Sequence, residues 1–417
     1  MKQSVFVILL SILHLTAFAQ SVKINKKSVR WLQENAKPVE VGQKDFSFLD
    51  EYIKDKRIVV LGEQLHGVKE FEEIRADIIE YLHQKHGFDV LLIESDMDAI
   101  DYVNRNKKQL TPKEMLRAFH AVWYSESMKL FISFLQKNPS IDLAGFDSQL
   151  HFLPSYSLIA SEYDSSFADI TKRSNSIFND KSLTNSDYKM IIDSLVQLHK
   201  AQLTRLPNDE NYEFITRIIQ NKINELERIL PSSPSEMPPF WNYRDSMMAD
   251  NMEWLIQEKY PNRKIIIWAA TPHVAACTDC TAFPEAYFSG KKLFENKDIR
   301  DSTYILITSL FEGTTSFFNF IFPTPSYRYD GVERLFNEVE LPSFFVDIST
   351  PKIKKRNEWI TEPIKIFPTE GYKLNDIGIK SKSYLQYSTL VPRNCFDGII
   401  YFKKVTASTL MDRNKLE

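Results

Sequence analysis

The chain has no excess of one charge. Its 52 Lys and Arg face 55 Asp and Glu, for a formal net charge of −3 over 417 residues. That balance argues against a broad nucleic-acid surface, which needs a basic face. Cysteine is scarce and late, at Cys277, Cys280 and Cys395. One Cys-x-x-Cys offers too few ligands for a structural zinc site. It does not open a helix after a first strand either, so a thioredoxin-like redox role is not expected. In an exported chain Cys277 and Cys280 are expected to close a small disulfide, with Cys395 as the odd thiol. No repeat and no low-complexity tract is present. Beyond the N-terminus no apolar run is long enough to cross a bilayer, whose core is roughly 30 Å thick.

The one marked apolar run opens the chain. Lys2 is followed by the stretch from Val5 to Leu15, and Ala17-Phe18-Ala19 supplies a small-x-small cleavage pattern. Residues 1–19 read as a signal peptide, with Gln20 as the new N-terminus and export to the periplasm or medium as the consequence. No cysteine near the cleavage point offers a lipid anchor. The remaining length suits one large domain, 20–417, with an insertion. Aromatic content is 13%, with 29 Phe and 18 Tyr, enough to build a core and to line an apolar pocket.

From residue 57 strands and helices alternate. β-Branched and apolar runs predict strands at 57–61, 88–93, 141–146, 264–268, 304–310, 343–346 and 398–402. Phe71, Ile74, Ile78 and Leu82 recur at helical spacing and predict a helix over 68–84. Residues 113–137 read as helical, with Met115, Phe119, Val122, Leu130, Phe131 and Leu135 as buried positions. Residues 155–235 lack strand-like runs. They read as a helical insertion, or cap, with helices at 188–206 and 211–230 and a proline-rich hinge from Pro231 to Pro239. A further helix is expected over 243–259. The order implies an α/β fold: a mostly parallel central sheet, helices on both faces, and late antiparallel edge strands.

Four of the strands end in chemically useful residues. The first delivers Gly62-Glu63-Gln64-Leu65-His66, the second Glu94, the third Asp147, and the fourth leads to His273. In a parallel sheet these carboxyl ends share one edge, where ligands bind in open α/β folds. A carboxylate three residues from a histidine can orient the imidazole, and an oriented imidazole can activate water. Arg75 follows His66 by nine residues, about two and a half helical turns, and its long side chain can reach back to the carboxylates. Each residue also has a plainer reading. Glu94 can cap the next helix, Arg75 can be a salt-bridge partner and Asp147 a turn residue. His83 and His86 suit a helix C-terminus, and His120, His151 and His199 carry no motif.

Together, Gly62-Glu63-x-x-His66, Arg75 and Glu94 resemble the erythromycin esterase family. Arg244-Asp245 with Met248 and Asn251 resembles a second segment of that family, Trp268-Ala269 through His273 a third, and Phe396-Asp397 its closing segment. The resemblance implies hydrolysis without metal or cofactor. His66 would act as general base, Glu63 and Glu94 would hold and polarise it, and Arg75 and Arg244 would organise the carboxylates or a developing oxyanion. His273 matches a retained histidine. One departure stands out: where the family has His-Asn, this chain has Ala270-Thr271, and Ala270 offers neither a proton nor a hydrogen bond. Pro272 is expected to stiffen the turn before His273.

The expectation is an exported hydrolase that cleaves an ester or lactone of an amphipathic or apolar small molecule. The alternative is a catalytically degenerate binding protein of the same fold.

Overall fold

The computed structural model describes residues 25–148, 185–205, 211–229, 237–277, 287–317, 320–324, 331–366 and 388–411. Within them the strands are β1 Lys37–Pro38, β2 Ile58–Glu63, β3 Phe88–Asp96, β4 Asp142–Asp147, β5 Lys264–Ala270, β6 Thr303–Phe317, β7 Phe320–Pro323, β8 Ser343–Asp347, β9 Ile364–Ile366, β10 Ser388–Leu390 and β11 Gly398–Val405. The main sheet runs β1-β8-β11-β6-β2-β5-β3-β4, with β7 folded back on β6. Every pairing from β11 to β4 is parallel. β8 and β1 add an antiparallel edge.

Both faces are covered, which is why the central strands read as unbroken apolar runs. Alternate residues of β2 go to opposite sides: Ile58 and Val60 join one core, Val59 and Leu61 the other. The helix Lys69–His86 packs on the second side through Phe71, Ile74, Ile78 and Leu82, all fully buried. Gly87 ends it in the left-handed region, at φ 68°. On the first side lie the helix Met237–Trp254 and, from the expected insertion, Tyr212–Asn224.

The structure corrects several expectations. Within the expected helical insertion, the helix Tyr212–Asn224 packs on the main core: Phe214, Ile215, Ile218 and Ile219 join it, and Lys222 reaches Asp98 at 3.3 Å. The preceding helix, Asn185–Leu203, packs Leu195 and Val196 into a separate cluster with Leu226. Residues 231–236 lie outside the described residues. Pro238 and Pro239 open the helix Met237–Trp254, in the first turn, where a missing N–H costs nothing.

Residues 113–137 are not one helix but Pro112–Leu116, a 3-10 turn Ala121–Trp123, and Glu126–Lys137. Ser125 caps the last of these by accepting from Met128 N–H. Leu130 is 70% exposed, because it stands off the stripe of Met128, Phe131, Ile132 and Leu135. Cys277 bonds Cys395 rather than Cys280, which lies outside the described residues. Ala276 N–H donates to Cys395 O at 3.0 Å and so aligns the two segments.

Candidate active site

β2, β5, β3 and β4 are neighbours, so their carboxyl ends stand side by side. The chain leaves β2 toward the β4 edge and leaves β5 toward the β8 edge, which makes their shared end a topological switch point. Glu63 and Ala270 are register partners there. The loop after β2 is held by the long strand β6. Thr315 Oγ1 donates to His66 O, and Ser316 N–H donates to Gly67 O at 3.0 Å. Gly67 has φ 67°, and a Cβ on it would collide with the Ser316 carbonyl. Glycine is therefore required for this approach.

The first cluster is centred on an anion. Glu63 Oε1 lies 2.5 Å from His66 Nδ1 and accepts from Trp123 Nε1 at 2.9 Å. Its Oε2 accepts from Arg75 Nη2 in a short ion pair. Arg75 also donates Nε–H to Phe71 O at 2.9 Å and lies over the Trp268 ring, 4.1 Å from its centroid. Burial alone would raise the Glu63 carboxyl, but the charges of Arg75 and His66 and the bonds from His66 and Trp123 outweigh it and hold it below the usual range. Behind this cluster Glu72 is buried, accepts from Ser125 Oγ at 2.5 Å, and is pushed up to about 7, chiefly by burial.

The second cluster is centred on a cation. Arg244 donates Nη2–H to Glu94 Oε1 at 2.9 Å and to Asp147 Oδ2 at 2.6 Å, and Nε–H to Asp147 Oδ1 at 3.0 Å. Burial opposes the charge on both carboxylates. For Glu94 the charges of His273, Arg244 and His66 prevail; for Asp147 those of Arg244 and His120 do. Both stay ionised, Asp147 well below its ordinary value. His273 Nδ1 lies 2.6 Å from Asp245 Oδ1, which also accepts from Ser289 N–H and Oγ–H at 2.9 Å.

Burial pushes His273 down, but Asp245 and Glu94 lift it above 6.5. The two contacts at its Nε2 suit the two protonation states. Arg244 Nη1, at 3.1 Å, donates to the neutral ring, and Glu94 Oε1, at 3.4 Å, faces the charged one.

The six residues expected from the sequence thus fall into two sets, Glu63, His66 and Arg75 in one and Glu94, Arg244 and His273 in the other. The charge of His66 reaches Glu94 and links them. Glu94 is not a helix cap; Asp96 caps the helix Met97–Asn106. Ala270 does give a hydrogen bond, through its backbone: its N–H donates to Glu94 Oε2 at 2.8 Å. Pro272 sits in the first turn of the short helix Thr271–Val274, which turns His273 into the second cluster. Asp397 is elsewhere. It binds Arg300 through both oxygens, at 2.9 and 3.2 Å, at the amino end of β11.

Trp123, His120 and Asp245 were missed. Asp245 had a signal in its adjacency to Arg244. Trp123 and His120 had none, because they lie in a turn without periodicity. Among the described residues no three His, Cys, Asp or Glu side chains form a group that could hold a metal ion, and no helix is long and apolar enough to cross a membrane.

Fold and site define an α/β protein with carboxylate-bound histidines at the carboxyl edge of a mostly parallel sheet. The chain belongs to the erythromycin esterase family, whose sequence profile matches residues 83–405. It is 24% identical over 454 residues to "Putative hydrolase YbfO" of Bacillus subtilis (strain 168), covering 99% of this chain and 98% of that one. Among solved structures it is similar in fold to a Bacillus cereus protein, with TM-score 0.69 and 17% identity over 93% of this chain and 99% of that one. It is also similar to a mutant of the erythromycin esterase EreC in its open conformation, with TM-score 0.64 and 17% identity over 88% and 95%.

Proposed function

We propose that the protein is an exported, metal-independent hydrolase that cleaves an ester or lactone by water activated at His66. The observation that carries this reading is the 2.5 Å contact between Glu63 Oε1 and His66 Nδ1. An ionised Glu63 accepts the Nδ1 proton, which leaves the ring lone pair on Nε2 as the base. Trp123 and Arg75 hold Glu63 in place, so the imidazole is oriented before substrate arrives. Arg75 and Arg244 balance buried carboxylates rather than face solvent. Family membership and the name of the Bacillus subtilis relative support hydrolysis as the reaction type.

An amphipathic or apolar substrate is supported by the β6–β7 hairpin. Phe320 and Ile321 are 56% and 67% exposed on it, and the same hairpin is bonded to the His66 loop through Thr315 and Ser316. Export is supported by the N-terminal signal pattern and by the Cys277–Cys395 disulfide, a bond typical of oxidising compartments. Fractionation of the source cells is expected to find a chain starting at Gln20 outside the cytosol; a cytosolic chain with Met1 would refute export.

A panel of aryl and lactone esters tests the reaction. His66→Ala is expected to lower kcat by about 10²–10⁴ while the protein stays folded. Equal rates for both proteins would end the reading. Loss of activity on chelation, restored by zinc or manganese, would end its metal-free part. Ala270, with a methyl group where the family has a histidine, favours the degenerate binding protein as the second reading. That reading expects ligand affinity without turnover, and turnover gained in Ala270→His.

A further inference from the structure

One surface of the molecule is far from neutral. The segments 26–37 and 351–357 hold eight Lys and Arg and one acid, Glu34, in a chain whose net charge is −3. Glu34 ties the two segments together. Its Oε1 accepts from Arg30 Nε at 2.9 Å, and its Oε2 accepts from Arg356 Nη1 at 2.9 Å. Trp31 and Trp359, both buried, pack edge to face with ring centroids 6.1 Å apart. The helix Lys26–Asn35 and the loop after β8 therefore share one basic face.

That loop is held in place by its own bonds. Asn357, 1% exposed, accepts from Lys354 N–H at 2.7 Å and donates Nδ2–H to Lys352 O at 3.2 Å. Arg393 donates Nε–H to Ile348 O and Nη2–H to Pro351 O, each at 2.7 Å. Lys352, Ile353, Lys354 and Lys355 all stand exposed on this fixed backbone. A solvated charge run would account for the lysines alone. An apolar side chain presented among cations suits a boundary where charged headgroups meet acyl chains.

Topology sets where this face points. β8 runs antiparallel to β11, and its last residue, Asp347, is the register partner of Gly398, the first of β11. The loop after β8 thus leaves at the amino edge of the parallel strands, opposite the edge that carries Glu63 and His66. Ten residues separate the apolar run ending at Leu15 from Lys26. The part of the chain that enters a membrane during export is therefore tethered to this same face.

We propose that the basic face docks the protein on an anionic phospholipid surface, with Ile353 among the headgroups and the histidine edge left open to solvent. The proposal takes its setting from the export reading above. Charge complementarity selects the partner, since each cation near such a surface strengthens binding roughly fivefold. The attraction fades beyond a Debye length, about 10 Å at 0.1 M salt, so only the cations on this face contribute.

The test sediments the chain beginning at Gln20 with lipid vesicles. It is expected to bind vesicles of equal parts phosphatidylglycerol and phosphatidylcholine, not phosphatidylcholine alone, and to be released by high salt. Lys352→Gln, Lys354→Gln and Lys355→Gln combined are expected to weaken binding about 10²-fold. Ile353→Ser is expected to weaken it about fivefold and to leave the salt dependence unchanged. These side chains are exposed, so an unaltered unfolding midpoint is expected for each variant. Equal binding to both vesicle types, binding to neither, or wild-type affinity in the triple variant overturns the proposal. Duplex DNA bound as tightly as the anionic vesicles, and lost in the same variants, overturns it in favour of a nucleic-acid face. A cytosolic chain that binds these vesicles refutes export alone, and an exported chain that does not bind them refutes this proposal alone.

Discussion

The two ion clusters at the sheet edge are built in opposite senses. Around Glu63 one carboxylate holds an imidazole, a guanidinium and an indole, and three of the four residues lie within 63–75. Around Arg244 one guanidinium holds two carboxylates and an imidazole drawn from residues 94, 147 and 273. The first cluster forms from a strand end and the helix after it, with little loop to close. The second exists only when β3, β4, β5 and the helix Met237–Trp254 have all docked. A local motif can thus carry chemistry, whereas a cluster spread over four elements couples the site to the integrity of the fold.

That contrast breaks most sharply at the two centres. Arg244→Met leaves Glu94 and Asp147 buried with their shared cation gone, and is expected to cost about 3–5 kcal/mol of stability. Glu63→Gln keeps a polar side chain among its donors and leaves Arg75 over Trp268. Its expected cost is about 1–3 kcal/mol. Urea unfolding at pH 7 measures both, and equal costs would remove the distinction. The next effect is that of the disulfide. Cys277 lies four residues after His273 and is bonded across a separation of 118 residues to Cys395. Loop closure predicts that Cys395→Ser, or reduction, lowers stability by about 5 kcal/mol. The unfolding midpoint with and without dithiothreitol reads this, and an unchanged midpoint would show that the second cluster does not depend on the cross-link.

The remaining effect is one of pH. Glu72 stands at about 7 in the folded chain against an ordinary 4.5. Its folded form binds more protons than the unfolded one between those values, so stability is fully present below 4.5 and falls as pH rises through about 7. The fall is roughly 3 kcal/mol, and Glu72→Gln is expected to abolish it in unfolding curves at pH 5 and pH 8. Glu63, Glu94 and Asp147 have lowered values and the opposite sign. Their contribution is present above the ordinary carboxylate values and is lost as pH falls toward the folded ones. A Glu72→Gln protein that kept the wild-type slope from pH 5 to 8 would show that this carboxyl is not the group titrating behind the Glu63 cluster.

Much of the architecture could be read along the chain, because the sheet is buried on both faces and its strands are uninterrupted apolar runs. Ile58, Val60, Ile265 and Ile267 declare themselves without any tertiary information. The site was partly legible for the same reason, since Glu63, Glu94 and Asp147 mark strand ends. The failures share a cause. Trp123 and His120 sit in a nonperiodic turn that only packing defines. Leu130 was misread as buried because periodicity smoothed over a break after Leu116. Cys277 was paired with its neighbour in sequence, but the β11 segment brings Cys395 within 4.3 Å between Cα atoms.

The residues alone determined which chemistry is at hand: a carboxylate and an imidazole three positions apart at the end of a strand, with an arginine one helix further on. Their spacing is set by covalent geometry and by the helical repeat, and both are local. Only the tertiary structure decided which carboxylates His120 and His273 face, that the Ala270 N–H belongs to Glu94, and that the Trp123 ring packs near both His66 and His120. Those relations join residues up to 179 positions apart, and parallel strand order, not sequence spacing, brings them to one edge.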